Sequence, residues 1–210
     1  ALQDFRQLRK KTEELRYNLT AMMAYAGSGH PGGSLSVLEI LTTLYYGGVM
    51  RYDAEDPGAK WRDRFVMSKG HASPALYVIL ADLGYFPGEK LKEFDADDSM
   101  LPKHCNRLKT PGIEASTGAL GQGFSMALGM ADVIQDTAGS VEMGALFIDE
   151  GFGSLDDEAR ARAIAVLKEL SGGKRMIGII SHVAELREQI EKKITVKRGE
   201  EGSLVRVETE

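Results

Sequence analysis

A glycine-rich stretch from residue 116 to residue 135 limits what this chain can fold into more than any other segment. It contains Gly118, Gly121, Gly123 and Gly129, and it reads as a turn followed by a helix of small residues. Each glycine inside a helix costs about 1 kcal/mol relative to alanine, so something must approach the backbone closely. Two alternatives stay open: a ligand bound by free amides at the helix start, or tight packing of the helix against a sheet.

Length and composition predict a globular α/β protein of one domain or two small ones. The chain has 210 residues, of which 43% are hydrophobic, and this is enough for a packed core. It has no run of eighteen apolar residues, and residues 1–11 lack the apolar segment of a signal peptide, so we expect a cytoplasmic protein with no membrane contact. A single cysteine, Cys105, excludes an internal disulfide framework.

The charge distribution changes near residue 131. Residues 1–131 carry 15 basic and 15 acidic side chains, whereas residues 132–210 carry 11 basic and 16 acidic ones, so the net charge of −5 comes entirely from the second part. This pattern argues against a nucleic-acid footprint built on a basic face. It also predicts a boundary between two segments.

The first segment begins with two predicted helices joined by a turn rich in glycine and proline. Apolar residues recur at helical spacing over about 4–25, and the turn at 26–33 ends that helix. Ser34 or Ser36 is expected to cap a second helix that continues through Tyr46. Further on, residues 65–67 are expected to form a short strand, followed by a helix near Ser73.

Three of the four histidines lie in turns rather than on helix faces. His30 falls in the first turn, His71 follows the expected strand, and His104 lies in a long polar connection at 95–114. Their spacing does not suit a zinc site, and no serine and acid partners form a triad. We expect neutral imidazoles around an anionic or polar substrate, although each histidine taken singly is more often structural.

Three long motifs in this segment resemble the N-terminal section of transketolase. They are S-G-H-P-G-G-S-L-S at 28–36, D-R-F-V-M-S-K-G-H-A-S-P-A-L-Y at 63–77 and T-P-G-I-E-A-S-T-G-A-L-G-Q-G at 110–123, in the order and at the spacing of that family. The resemblance covers about residues 8–131. It implies an α/β fold that holds the pyrophosphate of thiamine diphosphate, and ketol transfer as the ancestral activity.

The transketolase resemblance also implies roles for individual residues. His30 and His71 would face the cofactor and substrate region, with His71 near the diphosphate, and His104 would contact the hydroxyls of a bound sugar phosphate. Backbone groups would wrap around the cofactor at Gly118, Ala119 and Leu120. The family further implies Mg²⁺, a homodimer, and a partner chain that carries the missing C-terminal section.

The second segment departs from transketolase, because the metal-binding Gly-Asp-Gly motif of that family is absent. A strand that ends in acids stands at nearly the same distance, at 145–151, so a degenerate metal loop there is left open as an alternative. Instead L-F-I-D-E-G-F-G-S-L-D at 146–156 and I-G-I-I-S-H-V-A-E-L-R at 177–187 resemble the C-terminal end of the exonuclease subunit SbcC, an SMC-like ABC ATPase. That resemblance implies ATP as ligand, Asp149 as the Walker B magnesium ligand and Glu150 as the general base. It also implies Asp156 as the D-loop acid and His182 as the γ-phosphate sensor.

Periodicity in the second segment is typical of a strand, a helix and another strand, followed by two strands near the end. Strands are expected at 145–148, 176–180, 194–196 and 204–207. Ser154 begins a capping box for the helix, on which Ala163, Leu167 and Leu170 share one face. No Walker A loop occurs in the sequence, so ATP binding by this chain alone is expected to be weak.

The sequence therefore predicts a fusion with a parallel-sheet, three-layer α/β arrangement. Residues 1–131 would form a thiamine diphosphate-binding fragment and residues 132–210 an ATPase fragment. Three hypotheses stay open: a ketol-transferring half-enzyme that needs a partner chain, an ATPase lobe whose partner supplies Walker A, and a non-catalytic fusion product that completes neither site.

Overall fold

A computed structural model of the chain describes residues 2, 4–119, 121–137, 145–149, 156–171, 176–180, 184–190, 192–199 and 202–208. Within these residues, five α-helices precede the first strand, and after it come a helix, a strand, a helix and two consecutive strands. In the described part of the chain, no helix is both long enough and apolar enough to cross a membrane.

Helix α1 runs from Phe5 to Ala26 and confirms the first predicted helix. The side chain of Asp4 accepts a hydrogen bond from the Arg6 amide and caps the helix start. Gly27 ends the helix in the left-handed conformation, with φ 61°, which glycine adopts without strain. One face is buried, formed by Thr12, Leu15, Leu19, Met22 and Met23.

The predicted second helix is wrong in its extent, because two helices occupy that segment. Helix α2 spans Pro31–Leu35 and helix α3 spans Leu38–Tyr46. Proline at the first helical position starts α2 earlier than the serines would. Ser36 caps neither helix through its side chain; its hydroxyl donates to the Gly33 carbonyl inside the preceding turn.

Helix α4 (Ser73–Asp82) confirms the helix expected near Ser73. It lies at the centre of the larger hydrophobic core, which is formed mainly by α1, α3 and α4 and which we call the first core. Every residue from 73 to 80 is buried, and the helix is apolar around its whole circumference, as is typical of a helix enclosed by others. It packs against α1 and α3. A short 3₁₀ helix, Gly70–Ala72, leads directly into it and carries His71.

Residues 65–67 do not form the predicted strand. Their backbone has no regular secondary structure, because no strand in the described part of the chain lies beside them to supply ladder hydrogen bonds. Instead the Met67 carbonyl accepts a hydrogen bond from the Thr117 hydroxyl at 2.6 Å. Side-chain bonding therefore fixes the segment ahead of His71.

The long connection before the glycine-rich stretch is irregular, as predicted, but it is well packed. A 3₁₀ helix at Gly88–Glu93 precedes it. Leu101, Cys105, Thr110 and Ile113 are buried, so this connection belongs to the core rather than lying loosely over it.

The second part of the chain is built as a strand, a helix and a strand. Helix α5 (Gln122–Thr137) precedes strand β1 (Ala145–Asp149), helix α6 (Asp157–Ser171), strand β2 (Met176–Ile180) and helix α7 (Ala184–Gln189). Strands β1 and β2 pair in parallel, with Ala145 opposite Met176 and Asp149 opposite Ile180. The α/β fold class is confirmed, and both predicted strands are present.

A smaller core joins α5 to this unit. Phe124, Ile164, Leu167 and Leu186 are buried together, and Ala163 packs against them. Asp156 caps α6, because its side chain accepts a hydrogen bond from the Ala159 amide at 2.8 Å. The expected cap residue Ser154 lies outside the described residues.

The last two strands, β3 (Lys193–Gly199) and β4 (Gly202–Glu208), form an antiparallel hairpin and confirm the two strands expected there. One face of the hairpin carries four β-branched side chains. They are 61–70% exposed and are Ile194, Val196, Val205 and Val207.

Candidate functional site

Three histidines that are far apart in sequence lie together in the structure. The ring centroids of His30 and His71 are 4.7 Å apart, those of His71 and His104 are 4.9 Å apart, and those of His30 and His104 are 5.9 Å apart. Each side chain is half-buried. We call these three residues the histidine cluster.

Each histidine reaches the cluster from a different local structure. His30 precedes the first residue of α2 and follows Gly29, whose φ of 122° is in the region that favours glycine. A Cβ on Gly29 would lie 2.9 Å from the Met23 sulfur, so this turn packs directly on α1. His71 lies in the 3₁₀ helix before α4, and His104 lies in the long connection.

The glycine-rich stretch contacts the His71 loop through the main chain. A Cβ on Gly70 would lie 2.7 Å from both the nitrogen and the Cα of Gly118. A Cβ on Gly123 would lie 2.6 Å from the Ser68 Cα. The close approach that the glycines imply is therefore, in part, contact with another segment of this chain rather than with a sheet.

Thr117 joins the segments that surround the cluster. Its amide donates to the Cys105 carbonyl at 3.1 Å, next to His104, while its hydroxyl donates to the Met67 carbonyl. The Cys105 thiol is buried, and burial raises its pKa to about 11. This thiol is therefore protonated at neutral pH and acts as a packing group.

Two ring nitrogens in the cluster are buried without a hydrogen-bond partner among the described residues. They are Nδ1 of His30 and Nε2 of His104. Buried polar atoms in proteins nearly always have partners. This pair therefore marks a place where a polar ligand would satisfy groups that the described residues leave unsatisfied.

Burial lowers the pKa of His104, and the neighbouring His71, His30 and Lys103 lower it further, while Asp95 acts in the opposite direction. The imidazole of His104 is therefore neutral at physiological pH, in the form that can both donate and accept a hydrogen bond.

The depressed pKa of His104 predicts a loss of stability in acid. Above about pH 6.5 the side chain is neutral in both the folded and the unfolded chain, so it makes no pH-dependent contribution. As the pH falls below that value, the unfolded chain binds a proton that the folded chain resists, and stability falls until the folded pKa is passed. NMR titration of the His104 ring, assigned with His104→Gln, is expected to give a midpoint below that of an ordinary histidine. A midpoint at or above the ordinary value would contradict this prediction.

Sequence reasoning missed Asp95, which contacts the segments of two of the histidines. Its carboxylate oxygen Oδ2 accepts hydrogen bonds from the Ser28 hydroxyl at 2.6 Å and from the Lys103 ammonium at 3.0 Å. Ser28 is two residues before His30, and Lys103 immediately precedes His104. The only available signal was the position of Asp95 at the start of the long connection.

Of the other predicted site residues, Gly118, Ala119 and Asp149 are among the described residues and three are not. Gly118 lies beside the cluster, since a Cβ there would be 3.7 Å from the His104 ring, and Ala119 follows it on the surface. Asp149 is the last residue of β1. The remaining ones, Leu120, Glu150 and His182, lie outside the described residues. In the described ranges, no group of three His, Cys, Asp or Glu side chains is arranged to hold a metal ion.

A separate cavity of about 590 Å³ lies beside a buried ion pair. Glu114 contacts Arg62 through Oε1 and Arg64 through Oε2, the latter at 3.4 Å. The side chains of Arg62 and Glu114 are only 7% and 10% exposed. Arg62 also donates to the Pro57 carbonyl at 2.6 Å. These bonds hold the polar loop at 53–64 against the connection that carries His104.

Comparison with protein families identifies the class. The family described as "Transketolase, thiamine diphosphate binding domain" matches residues 9–151, which is more than half of the chain. The chain therefore belongs to the transketolase family of thiamine diphosphate-binding domains.

Individual relatives agree with this family. The chain is 52% identical over 109 residues to the 6-deoxy-6-sulfo-D-fructose transketolase subunit SqwG of Clostridium sp., and the match covers 52% of this chain and 39% of the relative. It is 40% identical over 126 residues to one of the apulose-4-phosphate transketolase subunits of Actinobacillus succinogenes, covering 60% of this chain and 45% of that protein. The chain thus spans less than half the length of these curated relatives.

Solved structures share the fold over a longer range than the sequence matches. A transketolase variant from Pichia stipitis superimposes with a TM-score of 0.69 at 29% identity, covering 82% of this chain and 26% of that chain. The transketolase of Campylobacter jejuni gives the same TM-score at 24% identity, covering 87% of this chain and 38% of its own, and shows the fold alone. The likeness in fold therefore continues beyond the region of sequence similarity to curated transketolases.

A second kind of relative matches a shorter stretch. The chain is 54% identical over 82 residues to the SbcC component of the SbcCD nuclease of Treponema pallidum, covering 39% of this chain and 8% of that protein. The transketolase of the same organism is 45% identical over 107 residues, covering 50% of this chain and 16% of that enzyme.

Proposed function

We propose that this chain supplies the diphosphate-binding half of a thiamine diphosphate site for ketol transfer. The observation that carries the proposal is the convergence of His30, His71 and His104 beside the glycine-rich stretch. Family membership supports the cofactor class. The three histidines come from separate turns, so three different local structures each contribute one side chain to the histidine cluster.

The residues present fit a polar, anionic cofactor. Nδ1 of His30 and Nε2 of His104 have no hydrogen-bond partner within the described part of the chain, so they are available to a ligand. His71 and the backbone of Gly118, Ala119 and Leu120 would hold the diphosphate near the start of α5, where the helix dipole favours negative charge. When bound, thiamine diphosphate supplies the carbanion chemistry of ketol transfer.

The chain's own contribution would be orientation and hydrogen bonding. His104, neutral at physiological pH, would contact the hydroxyls of a sugar phosphate. His30 would form a hydrogen bond to the ligand, or exchange a proton with it, at Nδ1. The named activities of the relatives, on 6-deoxy-6-sulfo-D-fructose and on apulose-4-phosphate, support a substrate that carries both hydroxyls and an anionic group. Asp149, the last residue of β1, and Glu150, the next residue in the sequence, would supply carboxylates for Mg²⁺.

A complete site would need a second chain. The relatives are named as transketolase subunits, and this chain spans 39% and 45% of two of them. These facts support a partner chain that carries the remaining transketolase section. The homodimer is proposed from the family resemblance alone. We assign residues 1–131 to the cofactor-binding part.

A second candidate function concerns residues 132–210. The 54% identity to the SbcC component of the SbcCD nuclease favours an origin of this segment in an ABC-type ATPase. In an ATP site of that type, Asp149 would be the magnesium ligand, Glu150 the general base, Asp156 the D-loop acid and His182 the γ-phosphate sensor. A fusion that completes neither site would be non-catalytic.

Calorimetry separates these alternatives. Thiamine diphosphate with Mg²⁺ is expected to release heat on binding to the full chain, and His71→Ala is expected to weaken binding at least about tenfold through loss of a charge-assisted hydrogen bond. Tyr17→Ala, at an exposed position on α1, is the matched control and should bind as the parent does. Absence of heat at millimolar cofactor would refute cofactor binding by this chain. ATP binding that disappears in Asp149→Asn would support the second candidate, and silence in both titrations would support a non-catalytic fusion.

A further inference from the structure

Asp95 has an unusual backbone conformation, and hydrogen bonds hold both its main chain and its side chain. Its φ is 58°, in the left-handed region that residues other than glycine rarely adopt. Its amide donates to the Leu101 carbonyl at 2.9 Å. Aspartate tolerates this conformation better than most residues, but the strain persists only where the surrounding structure fixes it, and such positions concentrate at functional sites.

The carboxylate of Asp95 connects two turns that carry histidines. A single oxygen, Oδ2, accepts from the Ser28 hydroxyl and from the Lys103 ammonium. The Ser28 hydroxyl holds the pKa of Asp95 below its usual range, with Lys103 acting in the same direction. The group therefore stays ionised, and both bonds persist through the neutral range.

Close packing also restricts the His30 turn, in addition to the hydrogen bond from Ser28 to Asp95. A Cβ on Gly29 would meet the Met23 sulfur at 2.9 Å and the Phe94 ring at 3.4 Å, and Phe94 immediately precedes Asp95. The Asp95 segment therefore contacts the His30 turn through both an apolar ring and a carboxylate. Movement of Asp95 would displace both turns.

We propose that Asp95 is a positioning residue that holds the turns of His30 and His104 in register with each other, so that the histidine cluster exists before a ligand binds. The proposal concerns this chain's own geometry and rests on the proposed function only for the identity of the ligand that the cluster receives. Asp95 itself contacts neither His30 nor a ligand directly; it acts through Ser28 and Lys103.

The test uses two substitutions in the full chain, read by NMR of the histidine rings without cofactor. In Asp95→Asn the amide oxygen can still accept from Ser28, so the His30 ring signals should stay close to those of the parent. The negative charge is lost, and with it the ion pair to Lys103, so the pKa of His104, which also faces His30 and His71, should shift downward. In Asp95→Ala both bonds are lost, so the His30 and His104 signals should both move.

Asp98→Asn is the matched control, because Asp98 is an exposed aspartate three residues further on with nearly the same φ of 57°. It should leave all three histidine signals unchanged. A purely structural role would make the two Asp95 variants alike, with lower melting temperatures and histidine signals that match the parent, and that result would overturn the proposal.

Cofactor titration then distinguishes this proposal from the proposed function. If the parent binds thiamine diphosphate, Asp95→Ala should bind it about tenfold more weakly, because a displaced histidine would lose about one charge-assisted hydrogen bond to the cofactor. Asp95→Asn should partly restore the binding. If the parent does not bind the cofactor, the proposed function fails, while the histidine spectra still decide the role of Asp95.

Discussion

Gly70→Ala is expected to lower the free energy of unfolding by about 3 kcal/mol, at the upper end of the cost of overpacking a core. The new methyl group would lie 2.7 Å from the Gly118 nitrogen and Cα and 2.8 Å from the Thr117 carbonyl carbon. All three atoms belong to the main chain, so no side-chain rotation can relieve the overlap. The loop of His71 would have to move away from the glycine-rich stretch, and the histidine cluster would open.

Urea denaturation followed by circular dichroism measures this effect. Gly88→Ala is the matched control, because it makes the same change in another 3₁₀ helix, where an added Cβ meets nothing within 4 Å. The control is expected to stay within about 0.5 kcal/mol of the parent. Equal midpoints for the two variants would show that the contact between Gly70 and Gly118 does not constrain the fold.

Glu114→Ala is expected to cost a similar amount, about 3 to 5 kcal/mol, for an electrostatic reason. It leaves the guanidinium of Arg62 buried at 7% exposure without its carboxylate, although the bonds from Arg62 to backbone carbonyls remain. Removing one partner of a buried pair costs more than the pair itself contributes, because the remaining charge stays desolvated. Arg64 would also lose its contact to Oε2.

The matched control for Glu114 is Glu158→Ala on α6. Glu158 pairs with Arg162 one helical turn away, and both side chains are more than 75% exposed. Such exposed pairs contribute only about 0.5 kcal/mol. Thermal unfolding should therefore separate the two variants clearly, and a Glu114→Ala protein as stable as Glu158→Ala would show that the buried pair is not needed for the fold.

Sequence reasoning singled out the three histidines because they lie in turns or in a long connection rather than on helix faces. Glycine and proline mark the turns of His30 and His71, and such turns are readable from residue type alone. The same reasoning was wrong at 65–67, because a strand depends on a neighbour, and three apolar residues in a row do not reveal whether one is present. The separation of α2 from α3 was likewise missed, since Pro31 set the helix start before either serine.

Long-range polar contacts were beyond the reach of the sequence. Nothing in the residues around Asp95 or Glu114 distinguishes these acids from the exposed acids nearby, and their importance follows from Ser28, 67 residues away, and from Arg64, 50 residues away. The roles assigned to Glu150, His182 and Leu120 stay predictions, as do those of the histidines themselves. The α/β class was predictable because it follows from the order of apolar segments, which is a local property.

Phe124 has a consequence for how such a chain could arise. It lies before residue 131, whereas the other buried members of its cluster, Ile164, Leu167 and Leu186, all come after it. Among the described residues, one aromatic ring therefore supplies what the segment before residue 131 contributes to that apolar contact. Under the proposed fusion, the later segment would need only to present aliphatic side chains to this ring, so the two parental segments would require little shape complementarity. A fusion point within α5 would thus disturb packing less than one inside the first core, where side chains such as Leu76 and Ile79 are fully buried.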